Sequence, residues 1–336
     1  TRSTNGLSVR PGMRLSRTVL PTEKRLARIA WEQAVWPLAA RRDRLSLAHS
    51  MAFVMPRLFN VPAVVTIYDL SFVEYPQGFP TLQRRYLMSE TAHSCRHAAR
   101  LVAISNSGRK DIQRIFGVPE ERIDVVVPGV SEAYRPLPAG QIERFRQRMN
   151  LPERFVLHVG TLQPRKNLRV LLDALSGLRR PDVHLVLVGG QGWNYEEIFR
   201  RVGSLGLTSR THFAGYAADA DLPLWYGAAS VVAFPSLYEG FGLPILEALA
   251  CGTPVVAANS SSLPEAGGDV ALYFDPHDAD ELAECLAIAL DDPQLIRQVR
   301  QAGPAHAARF SWSRAGRETA AVYDRVLGLP RKDRAE

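Results

Sequence analysis

Cysteine is scarce. Cys95, Cys251 and Cys285 are the only three in 336 residues, and their wide spacing offers neither a disulfide framework nor a Cys-x-x-Cys metal knuckle. Reduced thiols are expected. The eight histidines are scattered as well. His93 and His97 alone share helical i,i+4 spacing, and no acidic residue lies between them to make a zinc-protease pattern. No metal site is expected. Long apolar runs are also missing: nothing approaches the roughly 18 uncharged residues of a membrane span, and the N-terminus lacks the apolar core of a secretory signal. A soluble cytoplasmic protein is the expectation. The hydrophobic fraction of 46% and the charged fraction of 22% exclude disorder over most of the chain. The length suits two domains of about 100 to 200 residues each.

Positive charge is concentrated at one end. Residues 1–50 carry ten Lys and Arg, among them Arg2, Arg10, Arg17, Arg25, Arg28 and Arg41, against three acidic residues. This excess equals the net charge of +7, so the rest of the chain balances. Such a stretch suits a solvated face, an anionic membrane leaflet or a phosphorylated acceptor. Nucleic acid is not expected, because no recognition motif or aromatic-basic stacking pattern accompanies the charge.

An amphipathic pattern over 24–40 predicts a helix that ends near Pro37. Apolar runs then alternate with helical patterns: strands over 61–67, 101–104 and 123–127, helices over 82–99 and 107–116. A loop-like stretch over 134–138, a polar helix over 144–149 and Pro152 place a domain boundary near 150. The rhythm restarts with strands over 155–160, 183–188, 211–213, 230–234 and 254–257. Between and after them run helices over 167–178, 195–205, 218–228, one ending at Cys251, and 278–290. Alternation of this kind means an α/β fold with two doubly wound parallel sheets. Ligands bind beyond the carboxyl ends of such strands, which points to the loops after Val159, Val188 and Phe234.

Those three loops carry marked patterns. Ser236-Leu-Tyr-Glu-Gly-Phe-Gly-Leu-Pro-Ile-Leu-Glu247 follows a strand and enters a helix. Gly240 and Gly242 suit positive-φ backbone, Pro244 a first helical turn and Gly252 its stop. Bare N–H groups at a helix start suit a diphosphate, and Glu239 and Glu247 could accept hydrogen bonds from sugar hydroxyls. A Gly-rich turn with one capping and one exposed Glu is the plain alternative. His158-Val-Gly-Thr-Leu-Gln-Pro-Arg-Lys-Asn167 repeats the strand–loop–helix order, with Asn167 as expected N-cap and a buried stripe of Leu168, Leu171, Leu172 and Leu175. Arg165 and Lys166 repel one another unless an anion neutralises them, which suits a phosphate, and a solvated basic turn is the equal alternative. Gly189-Gly-Gln-Gly192 lacks dinucleotide-fingerprint spacing. It is either a close-approach turn beside a nucleotide or a plain strand-to-helix turn.

The run GYAADADLPLWYGAASVVAFPSLYEGFGLPILEALACGTPVVAANSSSLPEAGGDVALYFDP, residues 215–276, resembles the donor-binding half of retaining GT-B glycosyltransferases of family four. The resemblance lies in its Glu-x7-Glu pair, the preceding FPS, and the following CGTPVVA and SSLPE. VGTLQPRKNL, VVTIYDLSF, LVAISNSGRKDI and a terminal helix over 312–327 extend it to residues 25–328. It implies the GT-B architecture, two Rossmann-like doubly wound parallel-sheet domains facing across a cleft. An acceptor-side domain would span 1–150, a donor-binding domain 151–312, and a helix over 313–328 would cross back to the first domain. The family's opening strand and Gly-rich loop do not precede Thr1, so the first domain is expected to be incomplete at its N-terminus.

The resemblance also implies roles. Glu247 would bind the ribose hydroxyls of a nucleotide sugar, Glu239 the sugar hydroxyls, and Lys166 the diphosphate. Gly240, Phe241, Gly242 and Leu243 would contact the sugar and phosphates through their backbone, with Gly160, Thr161, Gly189 and Tyr216 bordering the nucleotide. Thr161 stands where the family's first cation usually follows the glycine, and Arg165 would substitute for it. Tyr68-Asp69 stands where the family often has His-Asp. A Tyr hydroxyl can donate a similar hydrogen bond but is no base near neutral pH, and retaining transfer asks little of a protein base. The implied reaction is hexose transfer from a nucleoside diphosphate sugar, GDP-mannose favoured by the PSLYEGFGLP form, to a glycan or lipid-linked acceptor. It implies no metal and no further cofactor. Contact of the basic N-terminal region with the inner face of an anionic membrane fits that acceptor. A disaccharide phosphorylase or synthase, or an inactive nucleotide-sugar-binding paralogue, would use the same cleft.

Overall fold

The computed structural model describes residues 12–14, 16, 18 and 20–330. Arg2, Arg10 and Arg17 of the basic stretch, and residues 331–336, lie outside the described residues. The chain begins with α1 (Arg25–Ala30) and α2 (Trp36–Arg42), joined through a π-helical turn over Trp31–Val35 into one helical run. The expected stop at Pro37 is therefore corrected. Pro37 has no N–H for the Gln33 carbonyl and its ring crowds that group, so the helix widens over the preceding turn and continues.

The first sheet is built from β1 (Ala48–Ser50), β2 (Ala63–Ile67), β3 (Arg100–Ala103) and β4 (Ile123–Val125), in the order β1-β2-β3-β4. All its pairings are parallel. Helices α3 (Ser71–Glu74), α4 (Thr81–His97) and α5 (Asn106–Phe116) connect the strands. Every residue of β2 is buried, as a strand covered on both faces requires.

Helix α6 (Ala139–Arg148) leads into the second domain, in which β5 (Arg154–Val159) is followed by α7 (Leu168–Gly177), β6 (Val183–Val188), α8 (Glu196–Ser204) and β7 (Thr211–Gly215). It continues through α9 (Leu222–Ala228), β8 (Val231–Phe234), α10 (Leu243–Ala250), β9 (Val255–Ala258) and α11 (Leu263–Gly267). It closes with β10 (Leu272–Phe274), α12 (Ala279–Asp291) and α13 (Pro293–Ala307). Its parallel strands lie in the order β10-β9-β8-β5-β6-β7. Chain direction across the sheet reverses between β5 and β8, and the crevice at such a switch point is where a doubly wound sheet takes its ligand.

The last helix, α14 (Trp312–Leu327), returns to the first domain. Its Ala315 and Val322 pack with Val64, Val102 and Val126. His49 ties the contact, with Nδ1 at 2.6 Å from the Tyr323 hydroxyl and Nε2 at 2.8 Å from Thr66 Oγ1. Arg325 adds an ion pair to Asp124 at 2.6 Å. The two interdomain crossings touch, since the Val130 N–H donates to the Phe310 carbonyl at 2.9 Å. A Cβ at Gly129 would stand 2.2 Å from the Trp312 nitrogen, so only glycine fits there. The three cysteines are free thiols. No helix among the described residues is long and apolar enough to cross a membrane.

Candidate active site at the switch point

The loops that leave β5 and β8 converge on one carboxylate. Lys166 Nζ lies 2.6 Å from Glu239 Oε1, and Arg165 Nη1 lies 2.8 Å from Glu239 Oε2. The Arg165 guanidinium also donates to the Tyr238 carbonyl, and the Leu237 N–H donates to the Arg165 carbonyl at 3.0 Å. Only 13% of the Glu239 side chain is exposed. Burial alone would raise its pKa, but Lys166 first and Arg165 second outweigh burial and hold it below the ordinary carboxylate value. The anion that the two adjacent cations require is thus Glu239 itself, and neither cation is a solvated turn residue. Asn167 stands at the expected N-cap position of α7, but it does not cap with its side chain. It is left-handed at φ 53°, makes no side-chain cap bond, and donates Nδ2 to the Pro276 carbonyl at 2.7 Å. The predicted stripe of Leu168, Leu171, Leu172 and Leu175 is buried.

The two glycines beside Glu239 do different work. Gly242 has the expected positive φ, 122°. Gly240 does not have one. A Cβ there would meet the Tyr68 carbonyl oxygen at 2.3 Å, so this glycine lets the loop touch the first domain. Tyr68 is 40% exposed, and its ring stands edge-on to Phe53 at 6.1 Å. Asp69 Oδ1 accepts from the Ser71 N–H at 2.9 Å and the Ser71 hydroxyl at 2.6 Å, which fixes the turn carrying Tyr68. Tyr238 extends the contact: its hydroxyl accepts from the Leu70 N–H at 3.1 Å and donates to Asp111 Oδ2 at 2.9 Å.

Glu247 has other partners than Glu239. The Tyr226 hydroxyl donates to its Oε2 at 2.7 Å, and the Tyr134 ring lies 5.9 Å from that of Tyr226. Burial raises the Glu247 pKa, with the tyrosine hydroxyls partly offsetting it. Gly160 lies under the second turn, because a Cβ at Gly189 would stand 2.0 Å from its carbonyl oxygen. Gly189 is therefore required by protein backbone. Thr161 is exposed. The Phe241 side chain is buried and tilts against Phe310 at 5.8 Å, which leaves only its backbone for a ligand. Leu243 opens α10. Tyr216 is 79% exposed and makes no hydrogen bond among the described residues.

Several supporting residues escaped the sequence. The Ser261 hydroxyl accepts from the Glu239 N–H at 3.0 Å, and Ser262 Oγ stands 2.9 Å from both the Glu239 and Phe241 carbonyls. Their SSLPE motif was visible, but its link to Glu239 was not. His158 is fully buried, with Nδ1 3.1 Å from the Ala233 carbonyl and Nε2 without a partner. Burial, reinforced by the Lys166 charge, pushes its pKa down to about 4.

Residues 141–306 match the family of glycosyl transferases group 1, and residues 2–134 match Glycosyltransferase Family 4. The chain belongs to the group 1 glycosyltransferases of family four. This glycosyltransferase is 34% identical over 292 residues to O-antigen chain mannosyltransferase B of Escherichia coli, spanning 86% of this chain and 76% of that protein. It is 32% identical over 286 residues to D-inositol 3-phosphate glycosyltransferase of Jonesia denitrificans, spanning 80% of this chain and 67% of that protein. Among solved structures, Anabaena HepE in complex with UDP and glucose superposes with a TM-score of 0.75 at 24% identity, covering 90% of this chain and 83% of that one. The glycosyltransferase therefore has the expected GT-B fold of two Rossmann-like domains.

Proposed function

We propose that this glycosyltransferase moves a hexose, mannose in first place, from a nucleoside diphosphate sugar to a glycan or lipid-linked acceptor, with retention at the anomeric carbon. The observation that carries the reading is the Lys166–Glu239–Arg165 cluster at the switch point, in a loop that touches Tyr68 and Asp69 of the other domain. A diphosphate is a stronger partner for two adjacent cations than one carboxylate, so its arrival would release Glu239 toward the sugar hydroxyls. Lys166 would then stabilise the charge growing on the leaving diphosphate, an interaction stronger in the transition state than in the ground state. These cations supply the positive charge that the reading needs without a metal ion.

Glu247, oriented by Tyr226, would take the ribose hydroxyls. Gly160, Thr161, Gly189 and Tyr216 would border the nucleotide, and the backbone from Gly240 to Leu243 the sugar and phosphates. Tyr68 would donate a hydrogen bond near the reacting carbon, with Asp69 holding its turn. That the Escherichia coli relative is a mannosyltransferase supports mannose. The basic N-terminal region suits an acceptor presented at an anionic membrane on its cytoplasmic face.

The test offers the purified protein GDP-mannose, UDP-glucose and ADP-glucose with lipid-linked glycans and follows nucleotide release and product configuration. The reading predicts GDP release, an α-linked product, and a loss of roughly 100-fold in kcat for Lys166→Ala. Turnover of another donor alone would remove mannose. Turnover of none by a protein that still binds a nucleotide would make it a binding protein.

A further inference from the structure

The second domain completes a helix of the first. Helix α5 follows Ser105, an extended residue whose hydroxyl accepts from the Gly108 N–H at 2.9 Å. The two donors before Gly108 point to the other domain. Glu265 of α11 accepts from the Asn106 N–H through Oε2 and from the Ser107 N–H through Oε1, each at 2.7 Å. Asn106 Nδ2 adds a bond to Oε2 at 3.0 Å. Two backbone N–H groups at a helix start attract a carboxylate by hydrogen bonding and through the helix dipole. Both oxygens find their donors together only at one separation and one rotation of the two domains. Glu265 also lies a few residues beyond Ser261 and Ser262, the hydroxyls that hold the Glu239 backbone. The cap therefore joins the loop carrying Glu239 to the domain carrying Tyr68 and Asp69.

We propose that Glu265 is a positioning residue: by capping α5 across the cleft it sets the domain register in which the Glu239 loop faces Tyr68 and Asp69. This inference rests on the transfer reading above. Two variants break the contact from opposite sides. Glu265→Ala removes the acceptor. Asn106→Pro removes a backbone donor and the side-chain donor, and proline at the first helical position after an extended residue leaves the helix intact.

Small-angle scattering of the full chain, and kcat and donor KM, are measured for both variants. Both should show a larger radius of gyration and a kcat lower by roughly tenfold to 100-fold, because small misplacements of reacting groups are costly. Donor KM should stay within about twofold of wild type, since the residues assigned to the nucleotide lie on the second domain. Wild-type scattering and wild-type kcat in both variants would overturn the proposal. So would a raised donor KM at unchanged kcat, which would place Glu265 in the donor site. Scattering needs no substrate. If the wild type transfers no sugar, the transfer reading fails, and unchanged scattering alone then decides against the register role.

Discussion

Lys166 stands between Glu239 and the ring of Phe234, whose centroid is 4.9 Å from its Nζ, and the same ring stacks on His158 at 6.0 Å. A protonated imidazole there would repel the ammonium in a site that excludes water. His158 accordingly keeps its proton only below about 4, well under the ordinary 6.5, because of burial first and Lys166 second. Above pH 6.5 the residue is neutral folded or unfolded, and its contribution to stability is fully present. As pH falls from 6.5 toward 4 the unfolded chain binds the proton first, and stability drops by up to about 1.4 kcal/mol per pH unit. His158→Phe keeps an aromatic ring against Phe234 and removes the titration. Melting curves from pH 7 to pH 4 should show the wild type losing stability relative to the variant as the medium acidifies. A constant difference would contradict this. The motif residues Glu239, Lys166 and Arg165 were legible as candidates for one site, and the structure brings them together. That Glu239 is the partner of both cations was not legible, because three strands and the helices between them separate the two loops in sequence.

Among elements, the run of α1 and α2 places Leu26, 82% exposed, and Leu38, 66% exposed, on a helix that also carries Arg25, Arg28, Arg41 and Arg42. The start of α4 lies alongside, where Arg25 Nη1 donates to Gln83 Oε1 at 3.5 Å and Leu82 is 78% exposed. Apolar side chains amid arginines are the chemistry of an interfacial helix on an anionic bilayer. In a flotation assay at low salt the protein should rise with vesicles containing phosphatidylglycerol and stay behind with pure phosphatidylcholine, and Leu26→Asp should weaken the binding severalfold. Equal recovery with both lipids, or with neither, would remove the membrane role. The amphipathic pattern of this run was legible, but its passage beyond Pro37 was not, because a π-turn leaves no trace in apolar spacing. Strands β1 and β10, three residues each, were not read from the sequence. Helix α13 was hidden by Gly303 and Pro304 inside it. A Cβ at Gly303 would meet the Leu249 carbonyl at 2.6 Å, so the apparent helix breaker is a contact with α10.

In the whole molecule, alternating strand and helix patterns sufficed to predict two parallel sheets. The strand order that places the switch point between β5 and β8 was not legible, since it depends on pairings between distant segments. The interdomain contacts share that character: Glu265 with α5, Tyr238 with Leu70 and Asp111, and α14 with the first sheet all join residues far apart in sequence. They bring the loop bearing Glu239 onto Tyr68 and Asp69, where the proposed function has a nucleoside diphosphate sugar react. Calorimetric titration of the chain with GDP, UDP and ADP tests this most directly, alongside Glu247→Ala and Lys166→Ala. GDP should bind at one site, and each variant should weaken it by roughly tenfold or more, the worth of a charge-assisted hydrogen bond. Binding of no nucleotide, or binding unchanged in both variants, would contradict it.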